Sequence, residues 1–326
     1  MKTRRLGNTD LHLSEIGFGA WAIGGGGWKF GWGPQDDDAA VAAIRRALEL
    51  GVNWIDTAAV YGLGHSEELV ARALDGHRRD VILATKCSLI WDDEGKISSS
   101  LARESVRREC EGSLRRLRTD CIDLYQVHWP NDDARIEEGW DEIGRMIDEG
   151  KVRYAGVSNF QVEHLDRAHR SRPTASLQSS YSILQRSVER ALLPWCATEG
   201  VGFLAYSPMA SGLLTGRFDR TRLAGDDWRA RSPEFNEPIL SANLELVEGL
   251  RDIALRHGKT VSQVAIAWVL RRPEVTSSIV GVRNPKQIEE TSGGSGWQLD
   301  SDAQGEIDRL IEQREERVPS ATVRFR

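Results

Sequence analysis

Cysteine is scarce in this chain, and the few cysteines are not arranged for cross-linking. Its 326 residues include only four, Cys87, Cys110, Cys121 and Cys196, and no two of them form a C-x-x-C pair. This scatter argues against a disulfide framework and against a cysteine-based metal site. We therefore expect free thiols and a cytoplasmic protein.

Long apolar runs are also missing. No uninterrupted apolar segment approaches the about 20 residues that a helix needs to span a bilayer. The first residues are basic (MKTRRLGNTDLHLSEIG), but no apolar segment follows them, so we expect no secretory signal. The chain has little excess charge, and its formal net charge of -6 argues against nucleic acid or an anionic membrane as the partner.

Short apolar runs alternate with helical patterns along most of the chain. The runs are mostly continuous, as expected of parallel strands that are buried on both faces. In chain order they are SEIGFG (14–19), VNWID (52–56), VILATK (81–86), CIDLYQVH (121–128), VRYAGVS (152–158), ASLQ (175–178), GFLAYS (202–207) and SSIVGV (277–282). Eight strands, each followed by a helix, predict an α/β fold, a (β/α)8 TIM barrel, as one domain over residues 1–326. A doubly wound open sheet is the alternative, because a strand count does not prove closure.

Three segments fall outside this alternation. Residues 1–13 have the pattern of an N-terminal β-hairpin that could close the bottom of the barrel. Residues 207–238 form a long loop after strand seven, rich in Gly, Arg and Asp, and loops of that length are usually lids or binding loops. Residues 302–318 have the pattern of a polar C-terminal helix with a solvated charged face.

Four polar residues stand at the predicted C-terminal ends of strands, where the active sites of barrels are built. Asp56 ends strand two and Tyr61 follows in its loop, Lys86 ends strand three, and His128 ends strand four. Taken singly, each has a plain structural explanation, such as a buried ion pair between Asp56 and Lys86 or a packing role for Tyr61. Taken together, they serve one chemistry.

That chemistry is proton transfer to a carbonyl oxygen. A tyrosine has a pKa near about 10 and is a poor acid at neutral pH, but a neighbouring ammonium lowers that pKa. A carboxylate behind the ammonium keeps it charged, and a neutral histidine can direct a carbonyl by hydrogen bonding. The four residues would protonate a carbonyl oxygen while hydride arrives at its carbon.

At these residues the chain resembles the aldo-keto reductase superfamily. The resemblance spans nearly the whole chain and is carried by GVNWIDTAAVYG, SEELVARAL, LATK, IDLYQVHWP, GKVRYAGVSNF, YSPMASGLLTG and IVGVRNPKQIEET. It implies that Tyr61 is the general acid/base, that Lys86 and Asp56 tune it, and that His128 orients the carbonyl. It also implies an oxidoreductase that reversibly reduces an aldehyde, ketone or sugar with hydride from a nicotinamide cofactor.

The same resemblance places the cofactor across the mouth of the barrel. By position, four residues would bind the nicotinamide. Its carboxamide would form hydrogen bonds with Ser158, Asn159 and Gln178, and its ring would stack on Tyr206. The pyrophosphate would lie along Ser207, Met209, Gly212, Leu213 and Thr215, and the adenosine end along Gly281, Arg283, Gln287 and Glu290. The amides of the helix that opens after Gly281 could also receive phosphate. Arg283 suits a 2′-phosphate, so NADP is favoured, and NAD stays open.

Two further features of the sequence bear on the cofactor and the substrate: a second nucleotide-binding motif, and the tryptophans of the predicted loops. GFGAWA (17–22) fits the G-x-G-x-x-A pattern of a Rossmann fold, but the glycines of IGGGGWKFGWG do not open a helix, so we interpret the segment as a loop over the substrate. Tryptophans crowd the predicted loops, and Trp28, Trp32, Trp91 and Trp129 are candidate substrate contacts. Aromatic walls suit apolar carbonyls or the faces of sugars.

The sequence has two alternative functional interpretations. A nucleotide-binding regulatory subunit with little turnover, like the potassium-channel β-subunits of this superfamily, would keep the same four residues. A metal-dependent hydrolase would need clustered ligands such as H-x-H, and the seven histidines form no such cluster, so we expect no metal. The sequence leaves the substrate, the direction of the reaction and the choice between monomer and homo-oligomer open.

Overall fold

Eight parallel strands close into a barrel in the computed structural model, which describes residues 1–223 and 227–318. The strands of the described residues are β1 (Thr3–Arg5), β2 (His12–Ser14), β3 (Ile16–Gly19), β4 (Trp54–Asp56), β5 (Ile82–Cys87), β6 (Leu89–Trp91), β7 (Ile97–Ser99), β8 (Ile122–Val127), β9 (Val152–Ser158), β10 (Ser176–Ser180), β11 (Gly202–Tyr206) and β12 (Val275–Gly281). The barrel runs β3, β4, β5, β8, β9, β10, β11, β12 and returns to β3. The predicted barrel is confirmed, and the open-sheet alternative is wrong.

Helices cover the outside of the barrel. In the described part of the chain they are α1 (Asp37–Glu49), α2 (His65–Ala73), α3 (Arg103–Leu117), α4 (Ile136–Asp148), α5 (Val162–Ser171), α6 (Leu192–Glu199), α7 (Ile239–Arg256), α8 (Val261–Leu270), α9 (Pro285–Ser292) and α10 (Ser301–Arg317). Asp36 caps α1 by accepting hydrogen bonds from the amides of Asp38 and Ala39, as its place before the helix predicts. None of these helices is long and apolar enough to cross a membrane.

Each strand divides its side chains between two cores. On β8, Tyr125 and Val127 join the large core between strands and helices, whereas Leu124 joins a smaller core inside the barrel. The alternation follows from the two-residue period of a strand. The inner core is centred on Trp54, whose indole N–H donates to the Ser277 hydroxyl at 3.0 Å.

The N-terminal hairpin closes the bottom of the barrel, as its sequence predicts. Strands β1 and β2 pair antiparallel, and Leu6, Leu11 and Leu13 pack into the inner core. Arg4 fixes the hairpin to the barrel, because its guanidinium bonds Glu15 at 2.9 Å and the Val275 carbonyl at 2.7 Å. The lower half of the barrel is therefore filled, and the open end lies at the carboxyl ends of the strands.

Two local features bear on the sequence predictions. The segment after β3 continues as a single turn of 3-10 helix and a loop, and the next α-helix begins only at Asp37, so the Rossmann interpretation is excluded. An antiparallel hairpin of β6 and β7 follows β5, and the sequence analysis did not predict it. The four cysteines, all within the described residues, are unpaired as expected.

The contact between Gly17 and Trp54 gives a test of the inner core. A Cβ atom on Gly17 would overlap the Trp54 indole ring. We expect Gly17→Ala to lower the free energy of unfolding by about 1–3 kcal/mol, the usual result of overpacking a filled core. Urea unfolding followed by tryptophan fluorescence measures it.

Gly305 is the matched control, because it lies in α10 and a Cβ there meets no atom within 4 Å. Gly305→Ala should leave stability unchanged or raise it by up to about 1 kcal/mol, since alanine restricts the unfolded chain. Equal unfolding midpoints for Gly17→Ala and wild type would contradict the tight fit around Trp54.

Candidate active site

A cavity of about 660 Å³ opens at the carboxyl ends of the barrel strands. It contains most of the residues that the sequence analysis selected. Lining it are Asp56, Tyr61, His128, Trp28, Trp32, Trp129, Ser158, Asn159, Gln178, Tyr206, Ser207, Met209, Gly212, Thr215, Gly281, Arg283, Gln287 and Glu290. The structure therefore brings together residues from strands that are far apart in the chain.

The floor of the cavity holds a buried ion pair beneath a tyrosine. Asp56 at the end of β4 and Lys86 on β5 are both almost fully buried, and Lys86 Nζ donates to Asp56 Oδ2 at 2.7 Å and to the Thr57 carbonyl at 2.9 Å. The turn after β4 brings the Tyr61 hydroxyl to 3.4 Å from Lys86 Nζ. The ammonium is therefore shared between a carboxylate and the phenol that faces the cavity.

Burial dominates the electrostatics of this group. Burial raises the pKa of Tyr61 well above its usual value of 10.0, and the Asp56 carboxylate and Tyr206 raise it further. Burial lowers the pKa of Lys86, although Asp56 and then Glu67 oppose the change. The pKa of Tyr61 is thus raised and not lowered overall, because loss of water dominates. Tyr61 carries its proton at neutral pH.

His128 lies beside the tyrosine at the end of β8. Their ring centroids are 5.6 Å apart and the rings meet edge to face. Burial and then the Lys86 charge lower the pKa of His128 well below its usual 6.5, so the imidazole is neutral at physiological pH. Two hydrogen bonds hold the His128 backbone. The His128 N–H donates to the Cys87 carbonyl, and the His128 carbonyl accepts from Asn159 Nδ2.

The predicted nicotinamide ligands form a connected set at the ends of β9, β10 and β11. Tyr206 donates its hydroxyl proton to Asn159 Oδ1 at 2.8 Å, and Asn159 Nδ2 donates to the Ser158 hydroxyl at 3.0 Å. Gln178 donates to Asp56 Oδ1 at 2.8 Å. Asn159 has a left-handed backbone, with φ of 62°, which turns its amide group across the cavity. The predicted cofactor ligands and the ion pair on the cavity floor are therefore linked by hydrogen bonds.

The loop after β11 turns sharply along the cavity. Left-handed backbone recurs at Ser207, Ala210, Ser211 and Gly212, and such turns leave backbone N–H groups grouped for an anion. Leu213 differs from the other predicted residues of this loop. Its side chain is buried in a separate cluster with Phe235 and Leu240 and does not line the cavity, so only its backbone could serve the pyrophosphate groove, and that assignment stays a prediction. The loop spans 207–238, of which residues 224–226 lie outside the described residues.

Arg283 reaches across the cavity to the glycine-rich loop after β3. Its guanidinium donates to Gln35 Oε1 at 2.7 Å, to the Trp32 carbonyl at 3.2 Å and to the Pro34 carbonyl. Burial, and then Arg229, lowers the pKa of Arg283. An anion at this site would relieve the repulsion between the two arginines.

The amides at the start of α9 are less open to phosphate than predicted. Asn284 Oδ1 accepts from the Gln287 amide, and Pro285 at the first helical position has no N–H. The side chain of Arg283 therefore offers an anion a more direct contact than the start of the helix does.

An aromatic wall closes the substrate side. The Trp28 ring is 6.3 Å from Tyr61, and Trp21 stacks on both Tyr61 and Trp228. The indole N–H of Trp21 donates to Phe30 and that of Trp28 to Gly25, so both rings present apolar faces.

Trp91 is placed elsewhere. It lies on the β6–β7 hairpin and does not line the cavity, so it is removed from the candidate substrate contacts.

Several cavity residues were not selected from the sequence. Leu89 and Phe30 add to the apolar wall, and Arg229 lies 4.8 Å from the Trp32 ring. Gln126 lies below the cavity and contacts Asp56. Its position two residues before His128, on the same face of β8, is a signal that the sequence did contain.

Comparison with known proteins agrees with this geometry. The sequence pattern of the Aldo/keto reductase family matches residues 15–312. Aldo-keto reductase YhdN of Bacillus subtilis (strain 168) is 38% identical over 316 residues, which cover 96% of this chain and 94% of that protein. NADH-specific methylglyoxal reductase of Escherichia coli (strain K12) is 33% identical over 331 residues, covering 97% of this chain and 100% of that protein.

Solved structures have the same fold. Glycerol dehydrogenase AKR11B4 from Gluconobacter oxydans superposes with a TM-score of 0.88 at 37% identity, covering 98% of this chain and 97% of the other. An aldo/keto reductase from Klebsiella pneumoniae, solved with NADP and acetate, has a TM-score of 0.74 at 27% identity, covering 95% and 96%. With the family pattern matched over nearly its whole length, the chain belongs to the aldo/keto reductase family.

Proposed function

We propose that this protein is an NADP(H)-dependent reductase that reversibly converts an aldehyde, ketone or sugar carbonyl to an alcohol, with Tyr61 as general acid/base. One observation carries the proposal. The Tyr61 hydroxyl faces the cavity 3.4 Å from Lys86 Nζ, which is itself 2.7 Å from Asp56. This is a proton donor backed by a charge that stabilises the anion left behind.

Reduction uses the protonated tyrosine. Because the pKa of Tyr61 is raised by burial, the proton is present at neutral pH and is given up only to an oxygen that is becoming an alkoxide. Lys86 then stabilises the phenolate as it forms, and Asp56 keeps the ammonium in place. In alcohol oxidation the same phenolate takes the proton back.

His128 would orient the substrate. A neutral imidazole can donate one hydrogen bond, and its place beside Tyr61 aims both groups at one carbonyl oxygen. Two donors on that oxygen fix the plane of the carbonyl, and they stabilise negative charge as it develops there.

The residues around the cavity fit a nicotinamide dinucleotide, which would supply the hydride. The amides of Asn159 and Gln178 and the hydroxyl of Ser158 are suited to a carboxamide, and the left-handed turn after β11 to a pyrophosphate. Tyr206 offers an aromatic face beside them.

NADP is the favoured form. Arg283 gives this end of the cavity a positive charge that suits a 2′-phosphate, whereas the nearby Arg229 is already paired with Asp227 at 2.6 Å. The Klebsiella pneumoniae structure contains NADP. NAD stays open, since the Escherichia coli relative is named NADH-specific.

The substrate wall favours molecules with an apolar or CH-rich face. Trp21, Trp28, Phe30 and Leu89 line that side of the cavity. The relatives include a methylglyoxal reductase and a glycerol dehydrogenase, so a small aldehyde or a polyol-related carbonyl fits this class. We further propose that residues 1–326, of which 319–326 lie outside the described residues, form one domain and that it works in the cytoplasm, where its thiols stay reduced.

Tyr61→Phe tests the proposed acid. The change removes the hydroxyl and keeps the ring that packs against Trp21 and Trp28. We expect cofactor affinity to persist while kcat falls about 100-fold or more. Steady-state rates on a panel of aldehydes and sugars, with a parallel titration of nicotinamide fluorescence, measure both quantities.

Tyr154→Phe is the control, because that hydroxyl bonds Asp10 at the opposite end of the barrel and its loss should leave kcat unchanged. Near-normal kcat in Tyr61→Phe rejects Tyr61 as the acid. A wild-type protein that binds NADPH and reduces no member of the panel points instead to a nucleotide-binding regulatory subunit.

Lys86→Met tests how the tyrosine is tuned. In alcohol oxidation Tyr61 must lose its proton, so the rate rises with pH as the phenol ionises. Removing the positive charge raises the pKa of Tyr61 further and should move the rising limb of kcat/KM to higher pH by about one unit, or about 1.4 kcal/mol. The measurement is kcat/KM for oxidation against pH.

The double variant Lys86→Met/Asp56→Asn separates charge from packing. The Asp56 carboxylate raises the pKa of Tyr61, so removing it as well should give a smaller shift than the single variant shows. A single variant whose limb coincides with that of wild type would mean that Lys86 serves only as the structural partner of Asp56.

Arg283→Ala tests the preference for NADP. A charge-assisted contact with phosphate is worth about 1.5–3 kcal/mol, so the Kd for NADPH should rise about tenfold to a hundredfold. NADH lacks the phosphate, and its Kd should change little. Fluorescence titration with both cofactors gives the comparison within one variant.

Arg46→Ala is the control for loss of an arginine. Arg46 pairs with Glu289 on α9 but lies outside the cavity, so neither Kd should change. Equal losses of NADPH and NADH affinity in Arg283→Ala would show that Arg283 supports the loop after β3 and does not bind the 2′-phosphate.

A further inference from the structure

Gln126 places a fully buried amide inside the barrel, directly below the active site. It lies on β8 in register with Lys86 on β5, and none of its surface is exposed. Its Nε2 is 3.4 Å from Asp56 Oδ1. A buried polar side chain among apolar neighbours requires hydrogen-bond partners, and those of Gln126 belong to the catalytic floor.

Asp56 divides its two oxygens between different partners. Oδ2 accepts from Lys86, whereas Oδ1 accepts from Gln178 at 2.8 Å and from Gln126 at 3.4 Å. An ionised carboxylate only accepts hydrogen bonds, and each donor favours its charged form. Two neutral amides on Oδ1 therefore prevent the Asp56 carboxylate from rotating away from Lys86.

The two amides also orient each other. Gln178 Nε2 is 3.4 Å from Gln126 Oε1, so a proton of Gln178 and the oxygen of Gln126 face one another. The barrel leaves room for this arrangement at Gly156 on β9, the register partner of Gln126. A Cβ there would come within 3.1 Å of Gln126 Cγ and would overlap the Ser176 hydroxyl.

We propose that Gln126 is a positioning residue for the reaction. Together with Gln178 it holds the Asp56 carboxylate so that Lys86 stays beneath the Tyr61 hydroxyl. The inference rests on the proposed role of Tyr61 as acid/base, and it assigns Gln126 no contact with substrate or cofactor. Loss of the amide acts through Asp56 and Lys86 on proton transfer, and therefore on kcat rather than on KM.

The charged surroundings set the expected pH response. Asp56 on β4, Lys86 on β5 and His128 after β8 surround the position, and Tyr61 and Tyr206 lie above it. Glu67 on α2 acts on Lys86 from outside the barrel. In wild type the amide is neutral at every pH. A carboxyl group in its place is a donor when protonated, like the amide, and repels Asp56 when ionised.

Two substitutions test the proposal. Gln126→Leu should lower kcat for reduction about tenfold, the effect of losing one hydrogen bond to a charged group, with substrate KM and cofactor Kd unchanged. Gln126→Glu should approach wild-type kcat at low pH and lose activity as pH rises through the raised pKa of the introduced carboxyl group. The wild-type and Gln126→Leu profiles should lack this extra titration.

Gln304→Glu on α10 is the control, because it makes the same substitution far from the barrel and should reproduce the wild-type profile. A Gln126→Glu profile identical to that of wild type overturns the proposal, and so does unchanged kcat in a folded Gln126→Leu. If Gln126→Leu does not fold, the pH profile of Gln126→Glu decides alone. Failure of the proposed function looks different, since Tyr61→Phe would then keep its turnover.

Discussion

The ion pair of Lys86 and Asp56 is the interaction on which the rest of the site depends. Removing two charges from water costs several kcal/mol for each ion, and their attraction offsets this only when the remaining hydrogen bonds are made. Here they are made, because Lys86 also reaches the Thr57 carbonyl and Asp56 also accepts from Gln178 and Gln126. The pair accounts for the two buried amides beside it.

The barrel interior consequently has two halves. Trp54, Leu124 and the hairpin leucines fill the lower half with apolar side chains. The upper half is polar and supports Tyr61. Loss of water there raises the pKa of Tyr61 and lowers that of His128, which leaves one residue protonated and the other neutral at physiological pH. Burial of the site thus sets the protonation states of these two residues.

Arg283 connects the two ends of the cavity. Its guanidinium holds the backbone at Trp32 and Pro34, in the loop that also carries Trp28 and the substrate wall. A cofactor phosphate and these carbonyls would compete for the same donors. The position of this aromatic loop is therefore tied physically to any anion that binds Arg283.

The sequence by itself determined the eight strands, the hairpin and the four strand-end residues, because two-residue periodicity, turn residues and strand ends are local properties. It also placed most of the cavity residues through family resemblance. Only the tertiary structure decided that Leu213 turns into a separate core, that Trp91 leaves the cavity and that the Tyr61 pKa rises. Those outcomes depend on burial and on partners from distant strands, and no local pattern encodes them. Gln126 depends on both levels. The sequence places it two residues before His128 on the same face of its strand, but only the closed barrel brings its amide to Asp56.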